Sequence, residues 1–117
     1  SDFVSLHCPP AADGRPVLDA AAISRMKRGV FLINTARYDV FDPAAVLAAL
    51  DSGHFSGLAL DAFDTEPPTD MRLVQHPKVI ATPHLGGYTR ESIARAMDAA
   101  VENLLAALSG SGRCADV

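Results

Sequence analysis

Short apolar runs that alternate with helix-like segments constrain the fold of this chain more than any other feature. Residues 30–33 are apolar at every position, a pattern typical of a strand covered on both faces in a parallel sheet. Three further short runs, at residues 3–6, 58–60 and 79–81, predict the other strands. Because the connections are long enough to contain helices, the alternation predicts an α/β fold with an open sheet and right-handed crossovers.

Capping residues mark where the predicted helices begin. Asp19 is placed to cap a first helix that Gly29 ends, and Asp42-Pro43 is a typical start for a second. Thr89 is placed to cap the longest helix, which is predicted to run to residue 108. Apolar residues recur in that helix at spacings of three and four, which predicts one broad buried stripe made of Ile93, Met97, Ala100, Val101, Leu104, Leu105 and Leu108.

Composition excludes several classes of function. The 117 residues have the size of one domain, and a hydrophobic content of 49% is sufficient for a core. The net charge is -4 and Lys27-Arg28 is the only pair of adjacent basic residues, which argues against nucleic acid as a partner. No apolar run approaches the ~20 residues of a membrane span, and no secretory leader is visible. We therefore expect a soluble, cytoplasmic protein with no membrane partner.

The cysteines and the end of the chain carry no predicted chemistry. Cys8 and Cys114 lie near opposite ends and form no metal-ligand spacing, so a reducing compartment and no metal site are expected. Residues 109–117 are predicted to be a flexible tail. The G-x-G-x-x-A spelling of residues 110–115 is interpreted as part of that tail, because it follows a helix instead of a strand.

Three polar residues are candidates for a catalytic site. Arg37 follows the strand at residues 30–33, Glu66 precedes two prolines, and His84 lies between Pro83 and a pair of glycines. The carboxyl ends of parallel strands meet at one edge of a sheet, so we expect the three side chains to converge there. A guanidinium binds a carboxylate through two hydrogen bonds, and an imidazole can transfer a proton.

Each of these residues has an ordinary structural interpretation when it is taken alone. Arg37 is then a surface arginine at a strand end, Glu66 a solvated loop carboxylate and His84 a structural histidine. Their order and spacing favour the site. His7 ends a strand on the same edge, and both a structural role and a cofactor contact are open for it.

Seven segments in the same order resemble the D-isomer-specific 2-hydroxyacid dehydrogenases. They are residues 1–9, 26–29, 34–37, 48–53, 57–63, 66–68 and 82–87. The resemblance implies the C-terminal half of a Rossmann-type parallel sheet with flanking helices. It also implies an enzyme that transfers a hydride between NAD and a small D-2-hydroxy or 2-oxo acid, with NADP left open and a homodimer as the common assembly.

The resemblance implies a role for each matching residue. The arginine matching Arg37 binds the substrate carboxylate, the histidine matching His84 is the acid/base, and the glutamate matching Glu66 pairs with it. The aspartate matching Asp61 lies near the nicotinamide carboxamide. Arg37 and His84 are also expected beside the cofactor, together with residues at positions His7, Cys8, Pro9, Thr35, Ala36, Gly86 and Gly87.

The sequence departs from the family pattern in two places. Tyr38 stands where the family has glycine, which could narrow the substrate pocket or alter the backbone that presents Arg37. The resemblance also covers only the later half of such an enzyme, without the phosphate-binding glycine turn, the ribose-binding acidic residue and most of the substrate domain. We expect a cofactor-domain part over residues 1–88, a helix leading toward the substrate domain over 89–108 and the tail over 109–117.

Two functional hypotheses follow from the sequence. The first is an enzyme whose full-length form is active while this fragment alone is inactive. Glu66 argues against the formate branch of the family, where glutamine partners the histidine. The second is a non-catalytic module of the same fold that senses a nucleotide or binds a partner.

Overall fold

The computed structural model describes residues 1–110 of the chain. These residues form two compact units, of which the first is Ser1–Leu85 and the second begins at Gly86. The first unit contains four strands, two α-helices and a 3-10 helix, and the described part of the second contains one long helix. In chain order they are β1 (Phe3–Leu6), α1 (Ala20–Ser24), β2 (Val30–Asn34), the 3-10 helix (Tyr38–Val40), α2 (Pro43–Asp51), β3 (Phe55–Leu60), β4 (Val79–Ala81) and α3 (Arg90–Leu108).

The four strands form one parallel sheet in the order β1-β2-β3-β4. The register aligns the last residues of the strands across the sheet: Leu6 pairs with Asn34, Asn34 with Leu60, and Leu60 with Ala81. The residues that follow these four therefore emerge along one carboxyl edge. The predicted α/β fold with a parallel sheet is confirmed.

The core lies on one face of the sheet. Val30 and Leu32 of β2 are buried there, with the buried residues of α2 packed against the sheet. The alternate residue Phe31 is 42% exposed and stacks on Phe3, which is 65% exposed. The prediction that β2 is covered on both faces is therefore wrong for the described chain. An apolar run predicts that both faces need cover, and it does not say which part of the polypeptide supplies it.

Side-chain caps begin the helices at the predicted residues. Asp19 accepts a hydrogen bond from the Ala22 amide, and Asp42 accepts from the amides of the second and third residues of α2. The Thr89 hydroxyl likewise accepts from the Ser92 amide at the start of α3. The helix that follows Asp19 was predicted to reach about residue 27, but it is shorter than predicted. It ends at Ser24, with Arg25 as its C-cap. Strand β3 is longer than predicted and starts at Phe55.

The apolar stripe of α3 is exposed. No residue of this helix is buried, and Met97, Val101, Leu104 and Leu105 are each more than half exposed. The prediction of a buried stripe is wrong for the described residues, since helical spacing fixes which residues share a face but not what covers them. None of the helices within residues 1–110 is both long and apolar enough to cross a membrane. Cys114 and most of the G-x-G-x-x-A segment lie outside the described residues.

Candidate active site

His84 and Glu66 form a direct pair near the carboxyl edge of the sheet. The Nδ1 atom of His84 lies 2.7 Å from Oε1 of Glu66, and each side chain is 44% exposed. A carboxylate accepts hydrogen bonds and cannot donate, so Nδ1 carries the shared proton and Nε2 is the nitrogen left for other chemistry. The same Oε1 atom accepts a hydrogen bond from the Phe63 amide at 3.3 Å, which holds the carboxylate against its own loop.

The backbone of His84 has a positive φ of 54°. This left-handed conformation costs a residue with a side chain roughly 1–3 kcal/mol and persists where surrounding contacts impose it, often at functional sites. The His84 amide donates to the Thr82 carbonyl at 2.9 Å, which closes a three-residue turn around Pro83. The fixed φ of proline suits the centre of such a turn, so the Thr82-Pro83-His84 sequence presents the imidazole from a constrained backbone.

Asp61 anchors this turn from the neighbouring strand. It follows β3 directly and is only 5% exposed. Its Oδ1 atom accepts a hydrogen bond from the Thr82 hydroxyl at 2.5 Å and another from the Leu85 amide at 2.8 Å. The two donors flank His84 in sequence, so one buried carboxylate holds both sides of the histidine turn.

Asn34 plays the equivalent part at the end of β2. This fully buried residue donates from its Nδ2 atom to the Arg37 carbonyl at 2.8 Å and accepts from the Ala36 amide at 3.1 Å. The Arg37 side chain is exposed, and its Nη1 atom donates to the Ala36 carbonyl at 3.0 Å. The buried amide of Asn34 therefore fixes the turn from which the guanidinium extends. Sequence reasoning assigned Asn34 no role of its own.

Arg37 and the His84–Glu66 pair share an edge but are not in contact. Within residues 1–110, Arg37 forms no hydrogen bond or ion pair with either residue. Strand β3 separates β2 from β4, so the two strand ends lie about 10 Å apart at ~4.8 Å per strand. That separation can be bridged by a small molecule held between a long arginine side chain and an imidazole.

The other predicted residues lie along the same edge or continue from it. His7 follows β1, and its Nε2 atom lies 2.8 Å from the Ser5 hydroxyl. The thiol of Cys8 is free and half-buried, Pro9 and Thr35 are exposed, and Ala36 is half-buried. Gly86 and Gly87 follow the histidine turn and open the second unit. No group of three or more His, Cys, Asp or Glu residues in the described part of the chain is arranged to hold a metal ion.

Tyr38 has an ordinary backbone in the position where the family pattern has glycine. It begins the 3-10 helix after Arg37, and its φ is not in the left-handed region. Its ring packs on Phe41 at 5.2 Å between centroids. Burial, reinforced by the charges of Asp64 and Asp70, raises the pKa of the Tyr38 phenol, so the ring stays neutral at physiological pH.

An apolar cavity of about 410 Å³ lies against the Glu66 loop and the start of the histidine turn. It is lined by Phe63, Glu66, Pro67, Pro68, Val74, Ala81, Thr82 and Pro83. The cavity gives the Glu66 carboxylate an apolar flank, and the aliphatic rings of the two prolines limit the movement of its loop.

Comparisons with known proteins identify the chain's relatives. The sequence pattern of the D-isomer specific 2-hydroxyacid dehydrogenase NAD binding domain matches residues 1–86. A D-3-phosphoglycerate dehydrogenase of Bacillus subtilis is 48% identical over 92 residues, which are 79% of this chain and 18% of that protein. A D-lactate dehydrogenase of Treponema pallidum has a crystal structure with a TM-score of 0.88 and 38% identity, covering 98% of this chain and 39% of that one.

A third relative was solved with its ligands. The D-lactate dehydrogenase of Aquifex aeolicus, crystallised with NAD and lactic acid, has a TM-score of 0.85 and 36% identity. The match covers 94% of this chain and 38% of that structure. The chain thus spans well under half the length of each of these three relatives.

The parallel sheet, with its polar residues at the carboxyl edge, defines a Rossmann-like nucleotide-binding fold. The chain belongs to the D-isomer specific 2-hydroxyacid dehydrogenase family, within the NAD-binding domain. The resemblance stated from the seven sequence segments, the fold class and NAD as the cofactor are thereby confirmed.

Proposed function

We propose that the full-length protein transfers a hydride between NAD and a D-2-hydroxy acid or the corresponding 2-oxo acid, with His84 as the acid/base. The observation that carries the proposal is the 2.7 Å contact between His84 Nδ1 and Glu66 Oε1. This contact orients the ring, so that Nε2 is available to a substrate oxygen. It lies near the carboxyl edge of the sheet, where open α/β folds bind their ligands.

Proton transfer is the chemistry assigned to His84 and Glu66. In reduction, the protonated imidazole donates from Nε2 to the oxygen that was the substrate carbonyl. In oxidation, Nε2 removes the hydroxyl proton and positive charge develops on the ring. Glu66 keeps Nδ1 protonated in both directions and stabilises the charged ring.

Substrate binding is the chemistry assigned to Arg37. Its exposed guanidinium projects from the turn that Asn34 fixes, which places a rigid, permanently charged fork on the β2 side of the edge. A 2-oxo acid carries its carboxylate next to its carbonyl group. Arg37 would hold that carboxylate through two hydrogen bonds, while His84 donates a hydrogen bond to the carbonyl oxygen. Together the two contacts orient the carbon to be reduced.

The residues at the edge fit the nicotinamide end of NAD. Thr35 and Ala36 have small side chains, and Thr35 is exposed, so a flat ring can approach the backbone closely. Asp61 and the residues at positions His7, Cys8, Pro9, Gly86 and Gly87 complete the proposed cofactor contacts. When bound, NADH supplies the hydride to C2 of the 2-oxo acid. We expect no turnover from the 117 residues alone, since they contain no glycine turn after a strand to anchor the pyrophosphate.

The second candidate is a module of the same fold that binds a nucleotide or a partner without catalysis. The paired His84 and Glu66 favour the enzyme, because a binding module has no need for an oriented proton donor. A soluble cytoplasmic homodimer with no nucleic-acid or membrane partner remains an expectation carried by the sequence and the resemblance, which also leave NADP open beside NAD.

Assay of the full-length gene product separates the two candidates. We expect the protein to oxidise NADH with at least one of glyoxylate, hydroxypyruvate and pyruvate. The reaction is monitored through the absorbance of NADH, at a saturating NADH concentration. His84→Gln should abolish turnover while changing the Kd for NADH far less, because the other proposed cofactor contacts remain. His76→Gln is the matched control, because His76 lies before β4 at the opposite end of that strand and contacts Asp51. NADH binding without turnover of any 2-oxo acid by the wild-type protein would favour the binding module.

A further inference from the structure

The turn that carries His84 depends on contacts outside the His84–Glu66 pair. A residue with a side chain leaves the left-handed region when nothing holds it there, because the right-handed and extended regions are lower in free energy. The 2.9 Å bond from the His84 amide to the Thr82 carbonyl closes the turn but lies within it. Something beyond the turn must therefore fix its orientation relative to the sheet.

The Thr82 hydroxyl supplies such a contact. It donates to Oδ1 of Asp61 at 2.5 Å, and the same oxygen accepts from the Leu85 amide at 2.8 Å. Asp61 is 5% exposed and follows the central strand β3, so its position is set by the core. A hydrogen bond to a buried carboxylate is stronger than one between neutral groups and costly to lose.

We propose that Thr82 is a positioning residue: through its hydroxyl bond to buried Asp61 it holds His84 in the left-handed conformation that aligns the imidazole with Glu66. In this proposal Thr82 contacts neither Nε2 of His84 nor the substrate oxygen that exchanges a proton with it. Without the hydroxyl, the turn keeps its internal bond but loses one of the two anchors that bracket His84. The imidazole then samples positions in which Nδ1 no longer meets Glu66 and Nε2 no longer meets the substrate oxygen.

The kinetic test uses the full-length protein and rests on the proposed function. Thr82→Val removes the hydroxyl and keeps the branched shape, whereas Thr82→Ser keeps the hydroxyl. We expect Thr82→Val to lower kcat on the order of tenfold to a hundredfold, with the KM for the 2-oxo acid and the Kd for NADH changed less than about twofold. Thr82→Ser should retain most of the activity. Thr69→Val is the matched control, because Thr69 is exposed and its side chain forms no hydrogen bond with any of residues 1–110.

A double-mutant cycle tests whether Thr82 acts through Asp61. Asp61→Ala removes the acceptor, whereas the amide oxygen of Asp61→Asn can still accept the hydrogen bond. Adding Thr82→Val to Asp61→Ala should then cost clearly less in kcat than Thr82→Val costs alone. Additive losses would overturn the proposed route, as would a Thr82→Val variant that changes only KM.

A structural readout decides the proposal independently of turnover. Crystal structures of wild type and Thr82→Val should show His84 leaving its positive φ or its Nδ1 moving out of hydrogen-bond distance of Glu66. An unchanged His84 in the variant would overturn the positioning role. If the wild-type protein reduces no 2-oxo acid, the proposed function fails, and this comparison still tests whether Thr82 holds the histidine turn.

Discussion

Replacing Glu66 with glutamine tests the electrostatic part of the proposed chemistry. Glutamine has nearly the same shape, and its Oε1 can still accept the hydrogen bond from Nδ1 of His84, so the ring stays oriented while the negative charge is lost. In the oxidative direction, His84 takes up the hydroxyl proton and becomes positively charged during the reaction. Glu66 stabilises that developing charge, and glutamine does not.

The size of the effect follows from the geometry of the pair. Opposite charges 4 Å apart attract by about 4 kcal/mol at an effective dielectric constant of about 20. Both side chains are 44% exposed, and solvent-exposed pairs retain only up to about 1 kcal/mol. The 2.7 Å contact is a charge-assisted hydrogen bond, which is worth about 1.5–3 kcal/mol. From these values we expect Glu66→Gln to lose about 1–2 kcal/mol of transition-state stabilisation. That loss corresponds to a roughly five- to thirtyfold decrease in kcat.

The assay is steady-state oxidation of the best D-2-hydroxy acid at saturating NAD, with the full-length protein. Glu66→Gln should lower kcat roughly five- to thirtyfold and leave the KM for NAD unchanged. Glu66→Ala should lose more, because it removes the orienting hydrogen bond as well. Glu102→Gln, which removes the same charge from the exposed surface of α3, serves as the control. A Glu66→Gln variant with wild-type kcat, or one affected only in KM, would refute the assignment of Glu66 to the histidine.

Three further predictions concern substrate binding and stability. Arg37→Lys should raise the KM for the 2-oxo acid about tenfold or more, since lysine cannot form the two-point contact, and an unchanged KM would contradict the role of Arg37. Asp42→Ala should lower the free energy of unfolding of the chain in urea by about 1 kcal/mol through loss of the α2 cap; an unchanged midpoint would contradict this. Hydrogen bonds from Arg72 lower the pKa of Asp70 from 3.8 to about 2, so its stabilising contribution is present above pH 4 and lost as the pH falls toward 2. The free energy of unfolding, measured in urea at pH 2, 3, 4 and 6, should fall at low pH in wild type and fall less in Asp70→Asn. Equal pH profiles for the two proteins would contradict the stabilising role of Asp70.

The fold could be predicted from the sequence because its signals are local. The apolar residues of β2 and the capping residues Asp42 and Thr89 each act within a few positions, and the structure has the strand and both helix starts where they predict. Cover for the apolar surfaces could not be predicted. The run in β2 and the stripe of α3 both indicate a need for a covering surface, but Phe31 of β2 and the stripe of α3 are exposed in the described residues. The sequence pattern predicts which side chains favour burial, but only the three-dimensional structure shows which residues cover them.

The candidate site divides in the same way. That Arg37 and His84 face one edge could be predicted, because each follows a strand and the strands are parallel. The partnership of Glu66 with His84 came from the resemblance, since the two residues lie 18 positions apart with four prolines between them and no local rule joins them. The bond between Thr82 and Asp61 spans 21 residues and had no sequence signal apart from a threonine before a proline. Contacts between loops of different strands depend on register and backbone angles that the residue pattern does not encode.

Two buried polar residues hold the turn of the left-handed His84 and the turn of Arg37 in fixed positions at the sheet edge. Asp61 extends from β3, which lies between the strands that lead to Arg37 and to His84. Asn34 fixes the Arg37 turn from β2, and the Asn34 carbonyl accepts a hydrogen bond from the Asp61 amide at 3.1 Å. The two buried polar residues are thus linked directly at the sheet edge, and each holds one turn. The spacing between the turn that carries Arg37 and the turn that carries His84 is therefore set by the core of the sheet, which favours binding a small rigid acid between the two side chains.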